Sequence, residues 1–175
     1  MVKVNKAFEV IVIVVTMVLI LFSATSCNLF RVNNLKNSIN EAVRENSNLG
    51  ADKKITKDDY EKLKNLDADG KEIADLNEIK LLISLERLNL SDNSISDITP
   101  LSKLTNLNHL TLTNNNISDI SPIKSLINLS LLSLMGNNIS DISPLESLNK
   151  LTNLNLNEND ITDISVLSNL TNMEV

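Results

Sequence analysis

LTLTNNNISDISPI, Leu110 to Ile123, packs four kinds of signal into one short stretch. Leu110 and Leu112 alternate with threonines, three asparagines follow, and Asp119 stands two residues before a Ser-Pro pair, Ser121-Pro122. The carboxylate is not alone: Asp97, Asp119, Asp141 and Asp163 fall at a constant spacing of 22 residues. Such a row could hold metal ions, form a catalytic array or belong to the scaffold, and the surrounding pattern decides between them.

Extending the stretch in both directions aligns Leu85, Leu107, Leu129, Leu151 and Met173 without insertion. The four full units are LERLNLSDNSISDITPLSKLTN, LNHLTLTNNNISDISPIKSLIN, LSLLSLMGNNISDISPLESLNK and LTNLNLNENDITDISVLSNLTN. A fixed period of this length marks a solenoid, and L-x-x-L-x-L-x-x-N-x-I marks the leucine-rich kind. One period upstream, LKNLDADGKEIADLNEIKLLIS keeps Leu66, Ile73, Asp75, Leu76, Ile79 and Leu82 in register as a degenerate first repeat. The pairs Leu88/Leu90, Leu110/Leu112, Leu132/Leu134 and Leu154/Leu156 carry the two-residue period of a strand buried on one face. No unit buries its leucines alone, so neighbours must supply each other's core. The expected fold is therefore an α/β leucine-rich-repeat solenoid: short parallel strands on a concave face, short 3-10 or α turns on a convex face.

The polar positions have structural work at this spacing. Asn93, Asn115, Asn137 and Asn159 come where the chain leaves each strand, and an amide there both donates to and accepts from backbone groups the turn leaves unpaired. Lys71 takes that place in the degenerate repeat, so the ladder should begin at Asn93. Pro100, Pro122 and Pro144 follow Thr99, Ser121 and Ser143, which reads as a hydroxyl N-cap with proline at the first helical position. Ser143 and Glu146 have the spacing of a capping box. The recurrent Asp, two residues before the hydroxyl, suits an Asx bond to the backbone N–H two residues on.

The amino terminus is an address. Lys3 and Lys6 precede the apolar run VIVIVVTMVLILF, Val10 to Phe22, and the small residues of SATSC, the layout of a secretory signal over residues 1–26. That run is shorter than the ~20 residues that span a bilayer comfortably. Ala24-Thr25-Ser26-Cys27 resembles a bacterial lipobox, which would make Cys27 the acylated first residue of the mature chain. An uncleaved anchor reaching Phe30 and an ordinary secretory signal are the alternatives. Residues 27–54 read as a lipid-anchored tether in which Val32, Leu35, Ile39 and Val43 could form one amphipathic spacer helix, docked loosely. Residues 55–84 form a cap and the degenerate repeat, and residues 85–175 the regular repeats.

With I-[ST]-D-I-[ST]-P-[LI] closing three of the four units, the repeats resemble those of internalin-type bacterial surface proteins, from about Ile55 to Val175. The resemblance implies a small N-terminal helical cap, which ITKDDYEKL fits with Thr56 as N-cap and Tyr60 and Leu63 facing the first repeat. It also implies recognition of a host or bacterial surface protein through the concave sheet, without catalysis. Two departures stand out. Internalin concave faces are often studded with aromatics, and none occupies the sheet positions here. The chain also ends two residues after a further repeat opens at Met173, which leaves either a truncated sequence or an open edge able to pair with another chain.

Composition narrows the functions further. The full chain has 16 bases and 22 acids; setting aside Lys3, Lys6 and Glu9 of the leader leaves 14 and 21. Residues 85–175 hold four bases and ten acids, with no basic stripe, which argues against nucleic acid as partner. Cys27 and His109 are the sole cysteine and histidine, too few for a Cys/His zinc site or an internal disulfide. No metal, cofactor or catalytic group is expected. LDADGKE places its glycine two residues early for an EF-hand loop. His109, Ser133 and Asp119 fail as a triad, because Asp119 falls on the opposite side of the coil.

Residues beside the strand leucines should face the concave side and carry partner binding: Arg87, Asn89, Ser91, His109, Thr111, Thr113, Leu131, Ser133, Met135, Asn153, Asn155 and Asn157. Leu131 and Met135 are apolar on an otherwise polar face, as a binding centre would be. The expected protein is a membrane-anchored, exported bacterial surface protein that binds another protein. A structural component that self-associates through its last repeat edge is the alternative.

Overall fold

The computed structural model describes residues 34–173. A helix α1 over residues 34–46 and a short helix α2, Lys57–Glu61, precede five strands. These are β1 (Asn65–Asp67), β2 (Arg87–Asn89), β3 (His109–Thr111), β4 (Leu131–Ser133) and β5 (Asn153–Asn155). Each is followed by a 3-10 turn: η1 (Asn77–Leu81), η2 (Thr99–Lys103), η3 (Ser121–Ser125), η4 (Ser143–Ser147) and η5 (Ser165–Asn169). The sheet is parallel with its strands in chain order, and Leu66, Leu88, Leu110, Leu132 and Leu154 stand in one register. The chain is a leucine-rich-repeat solenoid, and β1 pairs with β2 at the same 22-residue offset as the later strands.

All five convex turns are 3-10, not α, and the residue spacing explains it. Ile98, Leu101, Leu104 and Leu107 lie three apart, and three residues per turn stack them on one inward face, 0 to 1% exposed. The backbone bonds step by three as well: Leu101 N–H to Ile98 O, Leu104 N–H to Leu101 O and Leu107 N–H to Leu104 O, at 2.9, 2.9 and 3.0 Å. The core is thus a continuous stack of Leu and Ile from the strand leucines to these turn residues.

Helix α1 corrects the picture of a loose spacer in residues 27–54. Leu35, Ile39 and Val43, four residues apart on one helical face, are 1, 3 and 0% exposed and join the repeat core. Asn34 Nδ2 donates to Lys71 O at 2.8 Å, and Tyr60 Oη donates to Asn40 Oδ1 at 2.8 Å. The first coil of a solenoid has no preceding neighbour, so this helix supplies the missing apolar cover. Val32 and the rest of the tether, the leader and Cys27 lie outside the described residues. Thr56 caps α2 as its sequence indicates: its N–H and hydroxyl donate to Asp59 Oδ2 at 2.9 and 2.6 Å. Leu63 is buried and Tyr60 packs partly buried against the same core.

Burial declines toward β5. Leu132 and Leu134 are 1 and 0% exposed, whereas their counterparts Leu154 and Leu156 are only partly buried. Removing side-chain volume should therefore cost most in the middle of the stack. Leu132→Ala is expected to lower unfolding free energy by about 2 to 5 kcal/mol, the range for a fully buried leucine. Leu154→Ala should cost measurably less, and urea titration of both variants checks the ranking.

Candidate functional site

Two ladders of polar side chains hold the coils so that the sheet can present its outer residues. The first is the asparagine ladder. Asn115 Nδ2 donates to Leu90 O at 2.9 Å and Leu112 O at 3.1 Å, while its Oδ1 accepts the Ile95 N–H at 3.0 Å. Asn137 repeats this one coil on, with Leu112 O, Leu134 O and the Ile117 N–H. Asn159 does so with Leu134 O, Leu156 O and the Ile139 N–H. Asn93 is the first rung and accepts from the Lys71 and Ile73 N–H groups at 3.1 and 2.8 Å. Every amide therefore ties its own coil to the preceding one.

The second ladder is the row of aspartates. Asp97, Asp119, Asp141 and Asp163 each accept, through Oδ1, the N–H of the residue two positions on, at 2.8 Å. Asp75 makes the same bond to Asn77 in the degenerate repeat. The hydroxyls do not cap the turns as the Ser/Thr-Pro pairs imply: Thr99, Ser121 and Ser143 are themselves the first turn residues, with Ile98, Ile120 and Ile142 before them. The carboxylate has taken the capping role, and the Ser143/Glu146 capping box does not form. Hydrogen bonding holds three of these groups below the usual carboxylate range. For Asp97 the leading cause is the Thr99 hydroxyl, then its N–H; for Asp141 and Asp163 it is the N–H of Ser143 and Ser165, then the hydroxyl.

The concave sheet face runs in registered columns. Asn65, Arg87, His109, Leu131 and Asn153 stand side by side, as do Asp67, Asn89, Thr111, Ser133 and Asn155. Asn65 and Asp67 were missing from the expected face, although counting 22 residues back from Arg87 and Asn89 reaches them. Arg87, Asn153 and Asn157 are exposed; Asn89, His109, Thr111, Thr113, Leu131, Ser133, Met135 and Asn155 are partly so.

Ser91 is the exception, buried at 8% exposure. Its hydroxyl and N–H both donate to Asn89 Oδ1, at 2.7 and 3.1 Å, so it orients its neighbour. Several other groups are also braced. Asn89 Nδ2 donates to Asp67 Oδ1 at 2.9 Å, Thr113 Oγ1 lies 2.8 Å from Ser133 Oγ, and Asn155 Nδ2 lies 3.7 Å from Met135 Sδ. Asp67 thus belongs to the strand-edge network, with the Asp69 N–H on the same Oδ1 at 3.3 Å, and LDADGKE leads out of the end of β1. Among the described residues no group of three or more His, Cys, Asp or Glu gathers in a metal-binding cluster.

Just past each strand the chain turns through left-handed backbone, at Gly70, Asp92, Asn114, Gly136 and Glu158 with φ of 61, 53, 52, 68 and 56°. Asn114 Nδ2 donates to Asp92 Oδ1 at 2.8 Å, and a Cβ on Gly136 would fall 2.3 Å from Asn114 Oδ1. Glycine after Met135 therefore leaves room for that amide as well as relieving the backbone.

Comparison with known proteins agrees with this architecture. A family profile described as leucine-rich repeats, two copies, matches residues 83–125. The chain is similar to the crystal structure of an internalin, inlF, of Listeria monocytogenes: 36% identity over 84% of this chain and 43% of that one, TM-score 0.75. It is similar to the functional domain of InlJ from the same organism, which includes a cysteine ladder, at 26% identity, TM-score 0.63 and coverage of 74% and 29%. A leucine-rich-repeat protein of Leptospira interrogans matches at 27% identity and TM-score 0.62, with coverage of 66% and 31%. The chain thus spans less than half the length of each of these solved structures. No curated protein matches it by sequence.

The lowered aspartates make a pH prediction whose sign is fixed. A carboxylate whose folded pKa lies below its unfolded value of about 3.9 stabilises the fold above that value, and the contribution is lost as pH falls through the folded pKa. Stability should therefore drop on acidification below about pH 4. The combined Asp97→Asn, Asp141→Asn and Asp163→Asn variant keeps an acceptor at each turn without titrating. Its urea midpoint should fall less steeply with acid than the parent's, and equal slopes would exclude these groups as the cause.

Proposed function

We propose that this chain is an exported, membrane-anchored bacterial surface protein whose concave sheet face binds another protein, without catalysis. The observation that carries this reading is where the repeats vary. Strand leucines, ladder asparagines and turn aspartates recur from unit to unit, while the columns beside the leucines change from Arg87 to His109 to Leu131 to Asn153. A scaffold position is held by packing, whereas an outward sheet position is free to take up a partner's chemistry.

Within that face Leu131 and Met135 form the favoured centre. Both are partly exposed, and Leu131 borders a shallow depression with Ser133, Asn153, Asn155 and Met173. A few such apolar groups within a polar rim carry most of the energy of a protein interface. The similarity to internalins supports the same class of function. Among the described residues no helix is long and apolar enough to cross a membrane. The anchoring assigned here rests on the leader sequence and Cys27, because several acyl chains on one residue hold a protein at a membrane where a single chain would not.

Two experiments test the reading. Protein carrying Leu131→Asp and Met135→Asp should capture at least about tenfold less partner from a surface extract, since central interface residues cost upwards of 1 to 2 kcal/mol on loss. Ser118→Asp, on an exposed position away from the sheet, is the control, and undiminished capture by the double variant would exclude the centre. Metabolic palmitate labelling should mark the parent and not Cys27→Ala, and label retained by that variant would end the lipid-anchor proposal.

A further inference from the structure

The chemistry of the concave face is ordered along the sheet, and that order points to a ligand class. Asp67 and Asp69 lie at the β1 side, Arg87 on β2, His109 on β3, Leu131 and Met135 with β4, and three asparagines with β5. Arg87 is exposed and makes no ion pair among the described residues, where the pairs that do form join Lys57 to Glu61 and Lys64 to Glu86. An uncommitted guanidinium offers a planar fork matched to a carboxylate.

His109 stands between Arg87 and Leu131 in the same column, with its Nδ1 against the Asn108 side-chain amide. Leu131, directly beside His109 in the register, then offers apolar contact, with Met135 held near Asn155. Adjacent strands are ~4.8 Å apart, so Arg87 and Leu131 stand roughly 10 Å apart, about three residues of extended chain. On the other flank Asp67 and Asp69 disfavour a carboxylate, which leaves Arg87 as its cationic anchor among the concave residues.

We infer that the concave face takes an extended protein segment with an acidic side chain two or three residues from a large apolar one: carboxylate on Arg87, apolar group on Leu131. This rests on the concave face being the binding face, and the test separates the two claims. The probe is an array of synthetic peptides with Asp or Glu set two or three positions from Leu, Ile or Phe, each paired with its Asn or Gln control, read with the full chain in mild detergent.

The expected result is binding of acidic-apolar peptides that weakens at least about tenfold in the amide controls and with Arg87→Gln, is partly kept by Arg87→Lys, and falls with added salt. Leu131→Asp should abolish it. Binding lost with Leu131→Asp but unchanged by Arg87→Gln and by the amide controls overturns the carboxylate assignment and leaves the concave face standing. Binding indifferent to both substitutions overturns both claims, and an array with no acidic-apolar binders overturns the ligand class. Circular dichroism of Arg87→Gln, an exposed position, confirms that any loss is not unfolding.

Discussion

Each ladder asparagine solves a problem that the 22-residue coil creates for itself. Leaving the strand, the backbone turns toward the convex side and strands its carbonyls and N–H groups away from any ladder partner. A buried unpaired group of this kind costs about 1 to 3 kcal/mol, so a coil that left several would not be stable. Asn115 answers Leu90 O, Leu112 O and the Ile95 N–H with one side chain, and at 7% exposure it does so out of water. Because Leu90 and Ile95 belong to the preceding coil, the same bonds that satisfy the turn also set the stacking distance and register of the strands.

That constraint explains why the ends of the stack differ from its middle. The degenerate repeat carries Lys71 where an asparagine would stand, so it contributes N–H groups to Asn93 but no rung of its own. Its other side is covered by α1, whose Leu35, Ile39 and Val43 take the place of a preceding coil's leucines. Toward β5 the rungs persist through Asn159 while the apolar burial of Leu154 and Leu156 falls off. Hydrogen-bond register and hydrophobic cover are therefore separable here: the first is complete within each pair of coils, while apolar burial varies along the stack.

Most of the scaffold was legible because its determinants repeat. Leucine alternation placed the strands, the asparagine spacing placed the ladder and its first rung, and the Asx spacing placed the turn bonds. Where the reading fell short, competing interactions of similar local appearance were at issue. A hydroxyl before proline reads as an N-cap, yet the aspartate two residues earlier accepts that residue's own N–H, and the turn starts one residue sooner with the hydroxyl inside it. The i, i+3 spacing of Ile98, Leu101 and Leu104 did distinguish 3-10 from α, but only once all three were known to face inward. Helix α1 could be foreseen as amphipathic; that its stripe is core depends on the uncovered first coil, which no local pattern encodes. On the concave face, Ser91 alternates like its neighbours and is withdrawn only by the Asn89 amide.

The division of labour between positions bears on how such a face acquires a partner. Substituting a ladder asparagine or strand leucine disturbs two coils at once, so variation there is expensive. A sheet residue such as Leu131 touches its strand neighbours only at the side, and Arg87, His109 and Asn153 in the same column show how different its chemistry can be without moving the backbone register. Bracing limits that freedom in a graded way. Thr113 and Ser133 share a hydroxyl contact, and Asn89 is held by Asp67 and Ser91 together, so these groups are preorganised and would lose little freedom to a partner. Arg87 makes no ion pair among the described residues, so any partner that fixed it would have to offset the lost side-chain entropy, as a charge-assisted bond to a carboxylate can.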